Sequence, residues 1–164
     1  MADTHALLRS RGYAAAVLVP GSAGLREMYR SMGYRDATAV SEFTCHAGGS
    51  PVPLREVTAQ TYAALRRQLL PAGGVLQEGE NLRFLAATHK LYAGEDFLLA
   101  AACEGDTATV SELLGEPSAA PGILKSLGCS RGNFRTPGSE TPFAMVCPLV
   151  PDAPLPAYFG LAFD

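Results

Sequence analysis

The sequence predicts an α/β fold of the α+β type, built on a mixed sheet. Three observations predict it. A continuous apolar run at 14–19, AAAVLV, is stopped by Pro20-Gly21 and has the length and character of a buried strand. Leu25, Met28, Tyr29 and Met32 follow at helical spacing, one apolar stripe with Arg26, Glu27 and Arg30 on the opposite face. Further on, two apolar runs flank Glu104-Gly-Asp-Thr, a hairpin turn signal that demands antiparallel neighbours.

Taken in order, residues 2–11 read as a helix with Ala6, Leu7 and Leu8 on its apolar side, ended by Gly12. After the strand at 14–19 comes a helix at 22–32. The Ser22 hydroxyl can accept an orphan N–H at its start, and Gly33 ends it. Residues 34–45, YRDATAVSEFTC, read as one long strand. The segment 46–53, HAGGSPVP, has no periodicity and is the best boundary in the chain.

Beyond it, 54–57 is a short strand. Thr58 can cap a helix reaching residue 70, with Tyr62, Leu65 and Leu69 on one face. Arg66 and Arg67 read as part of a solvated face. Pro71-Ala-Gly-Gly breaks that helix, and a second spans 79–92 with Leu82, Leu85 and Thr88 on one stripe. Residues 97–103 and 108–114 are the hairpin strands. Ser118 is the expected cap of a short helix with Pro121 in its first turn, Ile123, Leu124 and Leu127 on its core face and Gly128 as its stop. Strands at 131–135 and 141–148 flank a Pro-Gly turn, and the aromatic tail is expected to lie extended across a surface.

The composition is that of a globular protein, 48% hydrophobic and 18% charged over 164 residues. A net charge of −3 argues against nucleic-acid binding. No apolar run approaches the roughly 20 residues that span a bilayer, and the first residues lack a signal-peptide core. The expected location is the cytoplasm, away from membranes. Cys45, Cys103, Cys129 and Cys147 form no C-x-x-C pair and read as reduced thiols. Adjacent Cys45 and His46 point to opposite faces of a strand, so no metal site is expected.

Residues 15–37, AAVLVPGSAGLREMYRSMGYRDA, resemble the end of a GNAT-superfamily N-acetyltransferase domain. There a buried strand leads into a helix of the pattern N-x-x-A-x-x-x-Y-x-x-x-G-F. Tyr29 and Gly33 match it and Tyr34 is conservative, while Ser22 and Leu25 depart from it. The order of elements after residue 51 is similar to the same family. Residues 107–114, TATVSELL, resemble its central strand, and the ending, with FRTPGSETPFAM and YFGLAFD, resembles that of two-lobed bacterial acetyltransferases. The resemblance implies that residues 1–45 end a first GNAT lobe, that 46–53 is a linker, and that 51–164 form a second, degenerate GNAT-like lobe. The family's pyrophosphate loop, Q/R-x-x-G-x-G/A, has no counterpart. In the corresponding segment 115–122, Pro117 and Pro121 remove N–H donors and Glu116 adds a repelling charge. The chain is therefore expected to be the later portion of a longer protein.

By resemblance, Tyr29 is the catalytic residue, protonating the coenzyme A thiolate; from periodicity alone it is a core residue. Ser22 by resemblance touches the cofactor; from the residues it is a helix cap. Glu112 lies where active lobes can carry a base but reads as a solvated strand carboxylate, as do Glu56 and Asp96. Cys103 and Cys147 read as core thiols without a nearby His. In some two-lobed relatives the chain terminus, here Ala162-Phe163-Asp164, reaches the first lobe's active site. The expected function is acetyl-CoA-dependent transfer of an acetyl group to a small-molecule or peptide amine; the alternative is a non-catalytic GNAT-like module that binds a ligand or a protein. An unpaired sheet edge in 1–45 predicts a homodimer.

Overall fold

The computed structural model describes residues 1–161. The chain forms two sheets. The small sheet has the order β1-β10-β2, with β1 (Ala15–Leu18), β2 (Arg35–Asp36) and β10 (Met145–Pro148) all antiparallel. Helices α1 (Ala2–Ser10) and α2 (Ala23–Ser31) accompany it. Tyr34, Met145, Cys147 and Leu149 form its buried core, with Leu8, Leu18 and Tyr29 packed against them.

The large sheet has the order β4-β5-β6-β7-β8-β3-β9. Its strands are β3 (Ala39–His46), β4 (Arg55–Glu56), β5 (Lys90–Ala93), β6 (Leu98–Glu104), β7 (Thr107–Leu114), β8 (Arg131–Pro137) and β9 (Thr141–Pro142). All neighbours are antiparallel except β7 and β8, which run parallel and are joined by α5 (Ala120–Leu127). A parallel pair needs such a crossover, and one next to hairpins makes the sheet mixed, as expected. One side of the sheet packs Ile123 and Leu124 of α5 against Leu99, Val110 and Phe134. The other packs α3 (Ala59–Leu69) and α4 (Glu80–Thr88), through Tyr62, Leu82 and Leu85, against Leu91, Leu98 and Leu114.

The predicted single strand at 34–45 is two strands in different sheets. Thr38 is the crossing point: the Ala37 and Thr38 amides both donate to the Ala144 carbonyl, at 3.1 and 3.3 Å, and Phe143 N donates to Thr38 O at 2.8 Å. Thr38 Oγ1 also accepts from Ala144 N. The segments 35–40 and 141–146 thus make one antiparallel ribbon whose lower half, β2 with β10, belongs to the small sheet and whose upper half, β3 with β9, belongs to the large one. The segment 1–45 and the remainder are therefore interleaved: β10 lies between β1 and β2, and β3 lies between β8 and β9.

Other expectations need correction. The helix predicted at 79–92 ends at Thr88 because His89 is extended (φ −126°, ψ 148°), and β5 then buries Leu91 and Ala93 against β6. The first strand is not buried on both faces, since β1 is an edge strand with Val17 exposed. Leu25, Met28 and Met32 on α2 are likewise partly exposed. Ser118 does not cap α5, which follows directly on a 3-10 turn, Pro117–Ala119. The tail forms no helix or strand through residue 161, as expected, but its end is buried rather than laid on the surface. Tyr158 and Leu161 are each 2% exposed, and Tyr158 bridges Gly74. The expectation for Ala162-Phe163-Asp164 lies outside the described residues.

Candidate functional site

Tyr29 sits at the end of the second turn of α2, a helix that starts as predicted: Ser22 Oγ accepts from Leu25 N at 3.2 Å. That bond satisfies one of the four donors every helix start leaves orphaned. Tyr29 is half-buried, its ring edge-on to Tyr34 at 5.6 Å between centroids, and its carbonyl accepts from Tyr34 N. Gly33, with φ +90°, makes the turn that brings Tyr34 back onto the helix. Ser22 is at the surface, seven residues before Tyr29, with its hydroxyl on Leu25 N and its carbonyl accepting from Arg26 N at 3.0 Å.

Tyr34 links this helix to α1. Its hydroxyl lies 3.0 Å from His5 Nε2, and His5 Nδ1 lies 4.0 Å from Cys147 Sγ on β10. Burial pushes the Tyr34 phenol up, with Cys147 and Tyr29 adding to the shift. The Cys147 thiol therefore has a histidine neighbour that sequence reading missed, because 142 positions separate the two in the chain. Cys103, expected in the core, is exposed at the end of β6.

The segment 115–122 was singled out as unfit for a diphosphate, and its surroundings give a second reason. The segment 46–53 lies across the start of α5. Gly48 N donates to Pro121 O at 3.1 Å, and Ser126 Oγ donates to Val52 O at 2.6 Å. A Cβ on Gly122 would meet Ser50 O at 2.8 Å and Val52 Cγ1 at 2.9 Å. The helix N-terminus that would face an anion faces the backbone of 46–53 instead, so the residues here do not fit a pyrophosphate.

Glu112 is not a solvated carboxylate. It is fully buried under α3, and the Arg66 guanidinium meets it in bidentate fashion, Nε to Oε2 at 2.7 Å and Nη2 to Oε1 at 2.9 Å. The Tyr158 hydroxyl donates to Oε1 at 3.0 Å and that of Tyr62 to Oε2 at 3.3 Å. Arg66 Nη1 donates to Val75 O. Burial alone would lower the Arg66 pKa, but bonding to Glu112 carries it above its ordinary value. Desolvation, with the Glu112 charge, pushes both phenols well above the usual range. Every lone pair of this carboxylate is engaged, so it acts as a structural clamp and leaves no basic oxygen for a substrate. Arg66, expected on a solvated face, is instead 2% exposed, and the signal was its position four residues after Tyr62, one helical turn along the buried side. Glu56 and Asp96 are exposed, as expected.

Among the described residues, no group of three or more His, Cys, Asp or Glu side chains is placed to hold a metal ion. Among the described residues, no helix is long and apolar enough to cross a membrane.

The mixed sheets, with a parallel pair bridged by a helix and a late strand inserted beside β1, define an α/β fold. The chain shares the fold of solved GCN5-related N-acetyltransferases. One from Kribbella flavida is 18% identical with a TM-score of 0.59, covering 88% of this chain and 45% of that one. A protein from Enterococcus faecalis, described as a probable N-acyltransferase, is 15% identical with a TM-score of 0.61 over 90% of this chain and 48% of its own. A GCN5-related N-acetyltransferase from Anabaena variabilis is 12% identical, with a TM-score of 0.60, 90% of this chain and 49% of that one. The chain thus spans about half the length of the structures it matches. No protein-family model matches the chain, and no curated protein matches it.

Proposed function

We propose that the chain is part of an acetyl-coenzyme A-dependent N-acetyltransferase, in which residues 1–45 end a catalytic lobe and 51–164 form a degenerate one. The observation that carries this reading is the seat of Tyr29. It lies on the helix between two strands of one sheet, half-buried, with its ring fixed by Tyr34. The phenol of Tyr29 gives its proton to the sulfur as the amine displaces coenzyme A. Ser22 contacts the pantetheine or phosphate arm of acetyl-CoA while it caps α2. The covered start of α5 favours a non-catalytic second lobe, so the reaction belongs to the segment around Tyr29.

The test is steady-state acetyl transfer to a panel of amines. Tyr29→Phe lowers kcat about 100-fold with KM little changed. Ser22→Ala raises KM for acetyl-CoA, and an unchanged KM assigns Ser22 to capping alone. The acceptor is a small-molecule or peptide amine. The same reading includes a second copy of the chain pairing along the outer edge of β1, which has no strand partner among the described residues. Val17→Lys then abolishes concentration-dependent mass in sedimentation; a monomer at every concentration removes that part of the proposal.

A further inference from the structure

On the large sheet, away from Tyr29, a shallow concavity of about 440 Å³ opens between β3, β7 and β8, lined in part by Thr109, Ser111, Asn133 and Arg135. Ser111 stands at a β-bulge. Val110 pairs with Ala101 and Glu112 with Ala100, which leaves Ser111 as the extra residue. A bulge turns a side chain out of the regular alternation, and such positions gather at functional sites. Here the turn brings Ser111 Oγ to 2.8 Å from His89 Nε2.

The bonds behind His89 fix its tautomer. Thr88 Oγ1 donates to Leu85 O at 3.2 Å, so its lone pairs face His89 Nδ1 at 2.9 Å. Nδ1 therefore carries the proton, and Nε2 is the acceptor turned toward the Ser111 hydroxyl. Burial lowers the pKa of His89, which keeps the ring neutral and able to take a proton. Asn133 lies on the neighbouring strand. Its Oδ1 accepts from Thr44 at 2.8 Å, which orients the amide and leaves its N–H donors for the concavity.

We propose that Ser111 is an acyl-accepting nucleophile with His89 as its general base and Thr88 as the residue that positions the base, in a site for small activated acyl esters and thioesters. Ser111 Oγ bonds to the acyl carbon while its proton passes to His89 Nε2. Collapse of the tetrahedral intermediate breaks the bond to the leaving oxygen or sulfur, which takes that proton, and acyl-Ser111 remains. Asn133 donates to the oxyanion.

The experiment treats the chain with p-nitrophenyl acetate and maps acetylation by peptide mass. The expected result is one acetyl group on Ser111, absent in Ser111→Ala and formed at least ~10-fold more slowly in His89→Gln and Thr88→Val. Ser111→Cys, which keeps a nucleophile in the same place, is labelled at that position and confirms that the concavity admits the ester. Labelling confined to lysines or the N-terminal amine overturns the proposal. So does equal labelling of Ser111 in His89→Gln, or an unlabelled Ser111→Cys that melts like the parent.

Discussion

A carboxylate with no exposure survives in an apolar core only when every oxygen lone pair finds a donor, and Glu112 finds them in Arg66, Tyr62 and Tyr158. Removing one member leaves the other charge buried and alone. Glu112→Gln is expected to cost about 3–5 kcal/mol in urea unfolding, whereas Arg66→Met with Glu112→Leu together cost far less, because no orphaned charge remains. Tyr158→Phe loses one charge-assisted bond and is expected to cost about 1.5–3 kcal/mol. His89 titrates in the opposite sense from a paired histidine. Its folded pKa lies below 6.5 through burial, so the unfolded chain binds more protons. Stability is therefore full above about pH 6.5 and falls as the pH drops through the lowered folded value. The charged groups on neighbouring elements are Glu42 with Arg135 and Lys90 with Glu56, each paired with the other. His89→Gln should flatten the slope below pH 6.5 in melting curves. At this scale sequence reading did least well. Arg66 and Glu112 lie 46 positions apart, and periodicity gives no means of knowing that one charge will meet another inside a sheet.

The helices were the most legible elements, because their signals are local. Ser22 and Thr58 each accept the amide three residues on, at 3.2 Å, where their hydroxyls were expected to cap. Thr58→Ala should cost about 1 kcal/mol, read from the urea midpoint at unchanged slope. Gly128, with φ +74°, stops α5 as expected. Strand bounds were less legible because partners set them. Residues 34–45 have an unbroken strand composition, and only the bonds from Ala37 and Thr38 to Ala144 divide them between two sheets. The helix pattern at 79–92 ran past Thr88 because Leu91 and Tyr92 fit a helical stripe as well as a strand; pairing with β6 decided it. The packing of 46–53 on α5 makes a further prediction. Gly122→Ala must push Ser50 and Val52 away, and is expected to raise proteolytic cleavage within 46–53 and lower the melting temperature.

In the whole molecule, the ribbon of 35–40 with 141–146 ties the two sheets into one structure. The segment 46–53 breaks the sequence pattern, but the strand exchange between residues 1–45 and the end of the chain was not legible, since β1 and β10 are separated by most of the chain. Because β10 completes the small sheet, residues 1–45 have no complete core without the end of the chain. A single cooperative unfolding transition is expected by circular dichroism and fluorescence alike; two separate transitions would mean independently stable parts. The small sheet also fixes the surroundings of Tyr29, through Tyr34, Met145 and Cys147. The most direct test of the account is the acetyl transfer rate of the chain against that of Tyr29→Phe, followed as coenzyme A thiol release with saturating amine. The account predicts measurable release that falls about 100-fold in the variant at an unchanged melting temperature. Equal rates in the two proteins, or no transfer to any amine, would contradict it.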